Sequence, residues 1–324
     1  MVLESQDEPV KTRIENSAPS ATPKPIWNQI MSGASILASE RNLTGKNILI
    51  GILGPDYPFD HPCIEKKIPY YRRFGPPPGV SRRPNPDDLA LLHPIGIVAG
   101  NHPEVEMCGA PDSQLALAIV PHGAVQTEDL LNGIQWLMEP EKGHVPAAIL
   151  ICVDFNTVAP KAVRQILRAC RNAGILPIIP AGNNPNRITG MAALPECITV
   201  GALDQWKARA LFSGQGPAVI DQVEIVKPDL AEPGVGILGP SLGSQGYRFG
   251  TGTLQAAAHF AGIWAQMRES KPLVDTETML AALATTTRDL ATPGADNQTG
   301  LGLVDPSAAL YFIENPPPPP VPVP

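Results

Sequence analysis

The chain has 324 residues, 43% of them hydrophobic and 17% charged, with a formal net charge of −7. That length can bury a sizeable core in one large α/β domain or two small ones, and the acidic balance removes any global electrostatic case for nucleic acid or an anionic membrane surface as partner. Five cysteines (Cys63, Cys108, Cys152, Cys170 and Cys197) lie scattered with no C-x-x-C pair, a pattern of reduced, buried thiols rather than a disulfide framework or a structural zinc site.

Residues 1–25 are polar and lack the apolar stretch of a signal peptide, so they read as a flexible N-terminal arm. No apolar run approaches the roughly 20 residues that span a bilayer, and the chain is expected to be soluble and cytoplasmic. Short apolar runs then alternate with amphipathic ones. "NILIGIL" (47–53), "LALAIV" (115–120), "AAILICV" (147–153), "GILPIIP" (174–180) and "CITVGAL" (197–203) have no polar alternation, as expected of parallel strands covered on both faces. Between them, "TEDLLNGIQWLM" (127–138) places Leu130, Leu131, Ile134, Leu137 and Met138 on one helical face. "PKAVRQILRACRNAG" (160–174) carries Pro160 near its start and Gly174 after its end. Strand–helix alternation predicts a mainly parallel sheet with right-handed crossovers. One domain over 26–313 is expected, followed by a proline-rich tail over 314–324, "ENPPPPPVPVP". Proline lacks the donor a helix or central strand needs, so this tail reads as polyproline II, either a spacer or a ligand for a proline-recognising partner.

Four landmarks fall in a fixed order. "ILIGILGPDYPFDHPCI" (48–64) is a buried strand, a turn and Asp-His-Pro. "HPIGIVAG" (93–100) leads to "CGAPDSQLALAIVP" (108–121). "GILPIIPAGNN" (174–184) ends a strand in Ala-Gly-Asn, followed by "ALPECITVGALD" (193–204), "LFSGQGP" and "VKPDLAEPGVGI" (226–237). "GTGTLQAAAHFAG" (250–262) opens a small-residue helix. Together they resemble the subtilisin-like serine protease family, and the Gly-Pro and Pro-Cys of the first landmark resemble its cyanobactin-maturation branch. The resemblance implies a three-layer α/β fold, a mainly parallel central sheet with helices on both faces. The family cleaves peptides with an Asp-His-Ser triad, and the matching positions here are Leu53, Pro94 and Leu254.

Leucine offers no nucleophile and proline no titratable group, so triad-based acyl transfer is expected to be absent. Residues one step away could stand in: His93 beside Pro94, Thr253 beside Leu254, and Asp56 just beyond the strand. A relocated set requires all three to converge within hydrogen-bond reach; otherwise His93 belongs to a helix start, Thr253 bonds to local backbone and Asp56 makes a turn. Asn183 matches the family's oxyanion donor, and it also suits a tight turn at a strand end. Val153, Asp154 and Phe155 replace the family's glycine-containing groove segment, and Phe155 is expected to crowd the pocket. His61 and His259 read as structural residues, and His102, His122 and His144 show no metal-ligand spacing. No metal and no cofactor is expected. The reading is a catalytically inactive relative that binds a peptide or partner protein, with maturation of a peptide natural product as the setting that the resemblance implies. The alternatives are an active, atypical hydrolase or cyclase using the displaced residues, and a structural module docking through residues 315–324.

Overall fold

The computed structural model describes residues 24–55, 61–75, 91–121, 125–153, 161–241 and 246–316. Seven parallel strands form the central sheet: β1 (Leu49–Pro55), β2 (Tyr70–Arg73), β3 (Gln114–Val120), β4 (Ala148–Ile151), β5 (Leu176–Pro180), β6 (Ile198–Leu203) and β7 (Leu230–Pro233). Their spatial order is β7-β6-β5-β4-β1-β3-β2, so the chain reverses direction across the sheet at β1. The five apolar runs are β1 and β3 to β6. All seven residues of β1 are buried, as a strand covered on both faces requires.

Among the described residues, eight helices accompany the sheet: α1 (Trp27–Met31), α2 (Ala34–Arg41), α3 (Leu92–Ala99), α4 (Thr127–Met138), α5 (Lys161–Asn172), α6 (Thr253–Ser270), α7 (Thr276–Thr286) and α8 (Pro306–Glu314). They fall on two faces. One core joins Ile50 and Ile52 to α3, α6, α7 and α8. The other joins Leu49 and Leu53 to α4 and α5. Helix α4 buries Leu130, Gly133, Ile134 and Leu137, while Glu128 and Asp129 sit in its first turn, where the helix dipole favours acids. Its Leu131 and Met138 are only partly buried. Helix α6 is buried on every side from Ala256 to Met267. Its alanines and Gly262 allow close approach, and a Cβ on Gly262 would meet the Val98 carbonyl of α3 at 3.4 Å.

The expected arm and tail each give up residues to the fold. Lys24–Pro25 pairs in parallel with Val105–Glu106. Glu314, read from sequence as the first residue of the tail, instead closes α8 and pairs with Arg41 and Lys271, both at 2.9 Å. Residues 317–324 lie outside the described residues.

Two further features position the site. Ile237–Pro240 (β8) and Tyr247–Gly250 (β9) form an antiparallel pair between β7 and α6. At the far side, Lys227 is buried, and its Nζ donates to the Cys197 carbonyl (3.1 Å), Thr199 Oγ1 (3.2 Å) and Asp229 Oδ2 (2.6 Å). The same Asp229 oxygen accepts from the Thr199 backbone N–H at 2.6 Å, tying β6 to the start of β7.

Candidate active site and peptide groove

The site lies where β5 and the loop after it meet the N-terminus of α6. Pro180 ends β5 and Gly182 takes the left-handed turn at φ +85°. A side chain is disfavoured there, and Asn183 follows, so the turn itself does not need the asparagine. Asn183 Oδ1 accepts from the Thr253 backbone N–H at 3.0 Å and from Thr253 Oγ1 at 3.1 Å. Thr253 Oγ1 in turn accepts from the Gly182 backbone N–H at 3.1 Å. With its oxygen engaged, Asn183 has Nδ2 left as a donor. A Cβ on Gly252 would stand 2.7 Å from Gln255 Oε1 and 3.2 Å from Asn183 Nδ2, so a side chain there would push on both amides.

Beside this cluster is a cavity of about 470 Å³, lined among others by Cys152, Val153, Met191, Asn183, Thr253 and Leu254. Leu254 is half-buried in the first turn of α6. Its backbone N–H, like every first-turn donor, has no helical carbonyl to bond. Burial pushes the Cys152 thiol well up, which makes it a poor nucleophile. Val153 lines the cavity; Asp154 and Phe155 lie outside the described residues, as do Asp56 and His122.

His93 lies in α3 and is buried between β8 and β9. A Cβ on Gly239 would come within 2.7 Å of its Nε2, and one on Gly250 within 2.6 Å of its Cε1. Both ring nitrogens are occupied: Nε2 faces the Arg248 carbonyl at 3.3 Å, and Nδ1 faces Gln255 Nε2 at 3.4 Å. A carbonyl only accepts and an amide nitrogen only donates, so the ring is neutral with its proton on Nε2. Burial lowers its pKa to about 4. His93 and Thr253 are thus not partnered: the histidine bonds to Arg248 and Gln255, the hydroxyl to Asn183 and Gly182.

Pro94 is buried in α3 next to His93. Leu53 is placed differently from its expected role. Successive strand side chains point to opposite faces, and Leu53 packs on the α4 face, where a Cβ on Gly133 would meet its Cδ1 at 2.8 Å. The position facing α3 is Gly54, whose added Cβ would meet Leu91 at 2.4 Å and Cys152 at 3.2 Å. Leu53 thus points away from α3 while Gly54 faces its start, and neither residue supplies a carboxylate.

Two further described histidines have structural partners. His61 caps Pro62–Ile64 through the Cys63 N–H at 3.2 Å. His259 is buried against Asn28 at 2.7 Å with its pKa lowered by burial to about 3. Among the described residues no group of three or more His, Cys, Asp or Glu could hold a metal ion, and no helix is long and apolar enough to cross a membrane.

A model of the Subtilase family (Peptidase S8) matches residues 45–302, a span that holds every element of the site. The chain belongs to the subtilase family. Among curated relatives, this subtilase is 27% identical over 266 residues to the subtilisin-like protease PopC of Myxococcus xanthus, covering 73% of this chain and 54% of that one. It is 25% identical over 305 residues to bacillopeptidase F of Bacillus subtilis, covering 83% and 21%. It is 27% identical over 276 residues to the minor extracellular protease Epr of Bacillus subtilis, covering 82% and 39%. The chain thus spans about half or less of the length of these relatives. A solved protease structure from Pseudoalteromonas arctica superposes with a TM-score of 0.70 at 19% identity, over 89% of this chain and 94% of that one, which shows the shared fold.

Three residues of the site escaped the sequence reading. Gln255 stands next to Leu254 and could have been noticed as a polar residue opening an otherwise small-residue helix. Gly239 and Gly250 make room for His93, and only the pairing of β8 with β9 reveals it.

Proposed function

We propose that this subtilase binds an extended peptide segment over the C-terminal ends of the parallel strands and does not cleave it by triad chemistry. The observation that carries the reading is Leu254, which stands in the first turn of α6 beside the cavity and Asn183, where an attacking oxygen is needed. Ser–His–Asp chemistry needs a nucleophile, a base within its reach and an acid to orient that base. In subtilisin itself, losing the serine or the histidine alone costs roughly 10⁶ in turnover. Here the substitutes are otherwise engaged: His93 is neutral and bonded at both nitrogens, and the Thr253 hydroxyl is held by Asn183 and Gly182. What persists is the binding half of the machinery, a cavity with an amide donor on Asn183. Such a donor also bonds a ground-state peptide carbonyl. The likeness of "GPDYPFDHPC" to the cyanobactin-maturation branch points to a ribosomally made precursor peptide as the bound segment.

A fluorophosphonate probe tests the catalytic side. No stoichiometric labelling is expected; labelling that vanishes in Thr253→Ala would overturn the reading. Deleting residues 315–324 tests the alternative of docking through the tail: partner binding is expected to survive the deletion, and its loss favours the tail.

A further inference from the structure

The cavity beside Leu254 has one charged residue among its described lining, Arg187. The others are apolar or neutral polar groups such as Val153, Met191, Asn183 and Thr189. Arg187 differs from Arg164, Arg168 and Arg171, each of which meets a carboxylate between 2.5 and 3.0 Å. Among the described residues its guanidinium has neither a salt bridge nor a hydrogen bond. Its place in the chain is nonetheless defined. Its backbone N–H bonds to the Asn184 carbonyl at 3.3 Å, the Asn186 N–H bonds to Asn184 Oδ1 at 3.1 Å, and the next side chain, Ile188, is buried.

We infer that Arg187 selects a peptide carrying a carboxylate, and that this carboxylate enters the cavity. The inference rests on the peptide-binding reading above and names the ligand class for that same site. A guanidinium presents five donors in a planar fork that matches a carboxylate, and Arg187 is exposed at the cavity, so its fork is open to an incoming ligand. The neutral groups of the site carry the same sign. Asn183 has its oxygen committed to Thr253, which leaves its amide as donor, and the first turn of α6 directs N–H groups outward from a helix N-terminus. Cation, amide and helix end together disfavour a basic or bare apolar group and favour an anion. The carboxylate can be an Asp or Glu side chain or the free C-terminus of a peptide.

The test uses the full chain and fluorescein-labelled tetrapeptides ending in Asp, Asn, Glu or Gln, each as free acid and as C-terminal carboxamide, read by anisotropy. Acid-bearing peptides are expected to bind roughly tenfold or more tightly than their isosteric amides, the size of one charge-assisted hydrogen-bonded pair. The gap should close in Arg187→Gln and largely persist in Arg187→Lys. A gap that follows the side chain identifies an acidic residue as the source, and one that follows the terminus identifies a chain end; both support the assignment. Equal binding of acids and amides, or a gap unchanged in Arg187→Gln, overturns it while leaving peptide binding intact. Absence of binding by every peptide to the unaltered protein overturns the peptide-binding reading and this inference with it.

Discussion

Thr253 holds one atom of Asn183 twice: its backbone N–H and its hydroxyl both donate to Oδ1, at 3.0 and 3.1 Å. The threonine thereby decides which end of the asparagine amide faces the cavity. An amide free to rotate would present oxygen or nitrogen; this one presents nitrogen. The same hydroxyl accepts from the Gly182 N–H, so the turn after β5 and the start of α6 are joined through a single oxygen.

Replacing Thr253 by valine keeps the shape and removes the hydroxyl. The Gly182 N–H loses its acceptor and Asn183 keeps only the backbone donor. We expect a loss of roughly 1–3 kcal/mol in urea denaturation and weaker peptide binding, with Thr253→Ser recovering most of both. A Thr253→Val protein of unchanged stability and affinity would contradict the role assigned to the hydroxyl.

Restoring the serine alone should not restore an enzyme. Leu254→Ser places a hydroxyl in the first turn of α6, but Pro94 has no base and His93 is committed to Arg248 and Gln255. Peptide hydrolysis and fluorophosphonate labelling are expected to stay at background. Restoring an acid at Leu53 should do harm, because that side chain lies in the α4 core. Leu53→Asp is expected to cost several kcal/mol through a buried, unpaired carboxylate and to yield no activity; a well-folded Leu53→Asp protein in thermal unfolding argues against the strand register described above.

His93 sets a pH dependence whose direction follows from burial. Its pKa falls from 6.5 to about 4 on folding. Between those values the unfolded chain binds more protons than the folded one, so stability drops as pH falls through the window, by on the order of 3 kcal/mol. His259, lowered to about 3, acts in the same direction. His93→Asn should be less stable than the parent at pH 7, with the difference narrowing toward pH 4. A difference that does not change with pH would sink this account.

Glu232 works the other way. It is buried in β7, and burial pushes its carboxyl well above the usual range, with the Val304 backbone offsetting only part of that. A folded pKa raised above the unfolded 4.5 contributes stability at low pH that is lost as pH rises. Glu232→Gln should therefore gain stability over the parent from about pH 5 upward, increasingly so toward neutrality. Parallel stability curves for the two proteins would argue that the carboxyl is ionised in place.

Much of the fold was legible because parallel strands buried on both faces leave unbroken apolar runs, and β1 and β3 to β6 all do. Helix α4 was legible to both ends, since its apolar period and its first-turn acids agree. The edge strand β2 was not: "YYRR" is mostly exposed and, among the described residues, pairs with β3 alone, so it carries no apolar signature. Within the site, positions 183, 253 and 254 were singled out through the resemblance to the family's motifs, and the structure brings the three together at one cavity. The orientation of Leu53 was not, because a one-residue shift in a strand reverses the face and the flanking turn leaves that shift open. Nor was the engagement of His93, whose partners stand 155 and 162 residues away.

Lys227 gives the junction of β6 and β7 a positive charge on a covalent stem, bound by three oxygens. A tethered cation has no dissociation constant. It is not diluted, displaced by competing salts or withdrawn by a chelator. The charge at that corner is supplied with the chain itself and needs no ion taken up from solution.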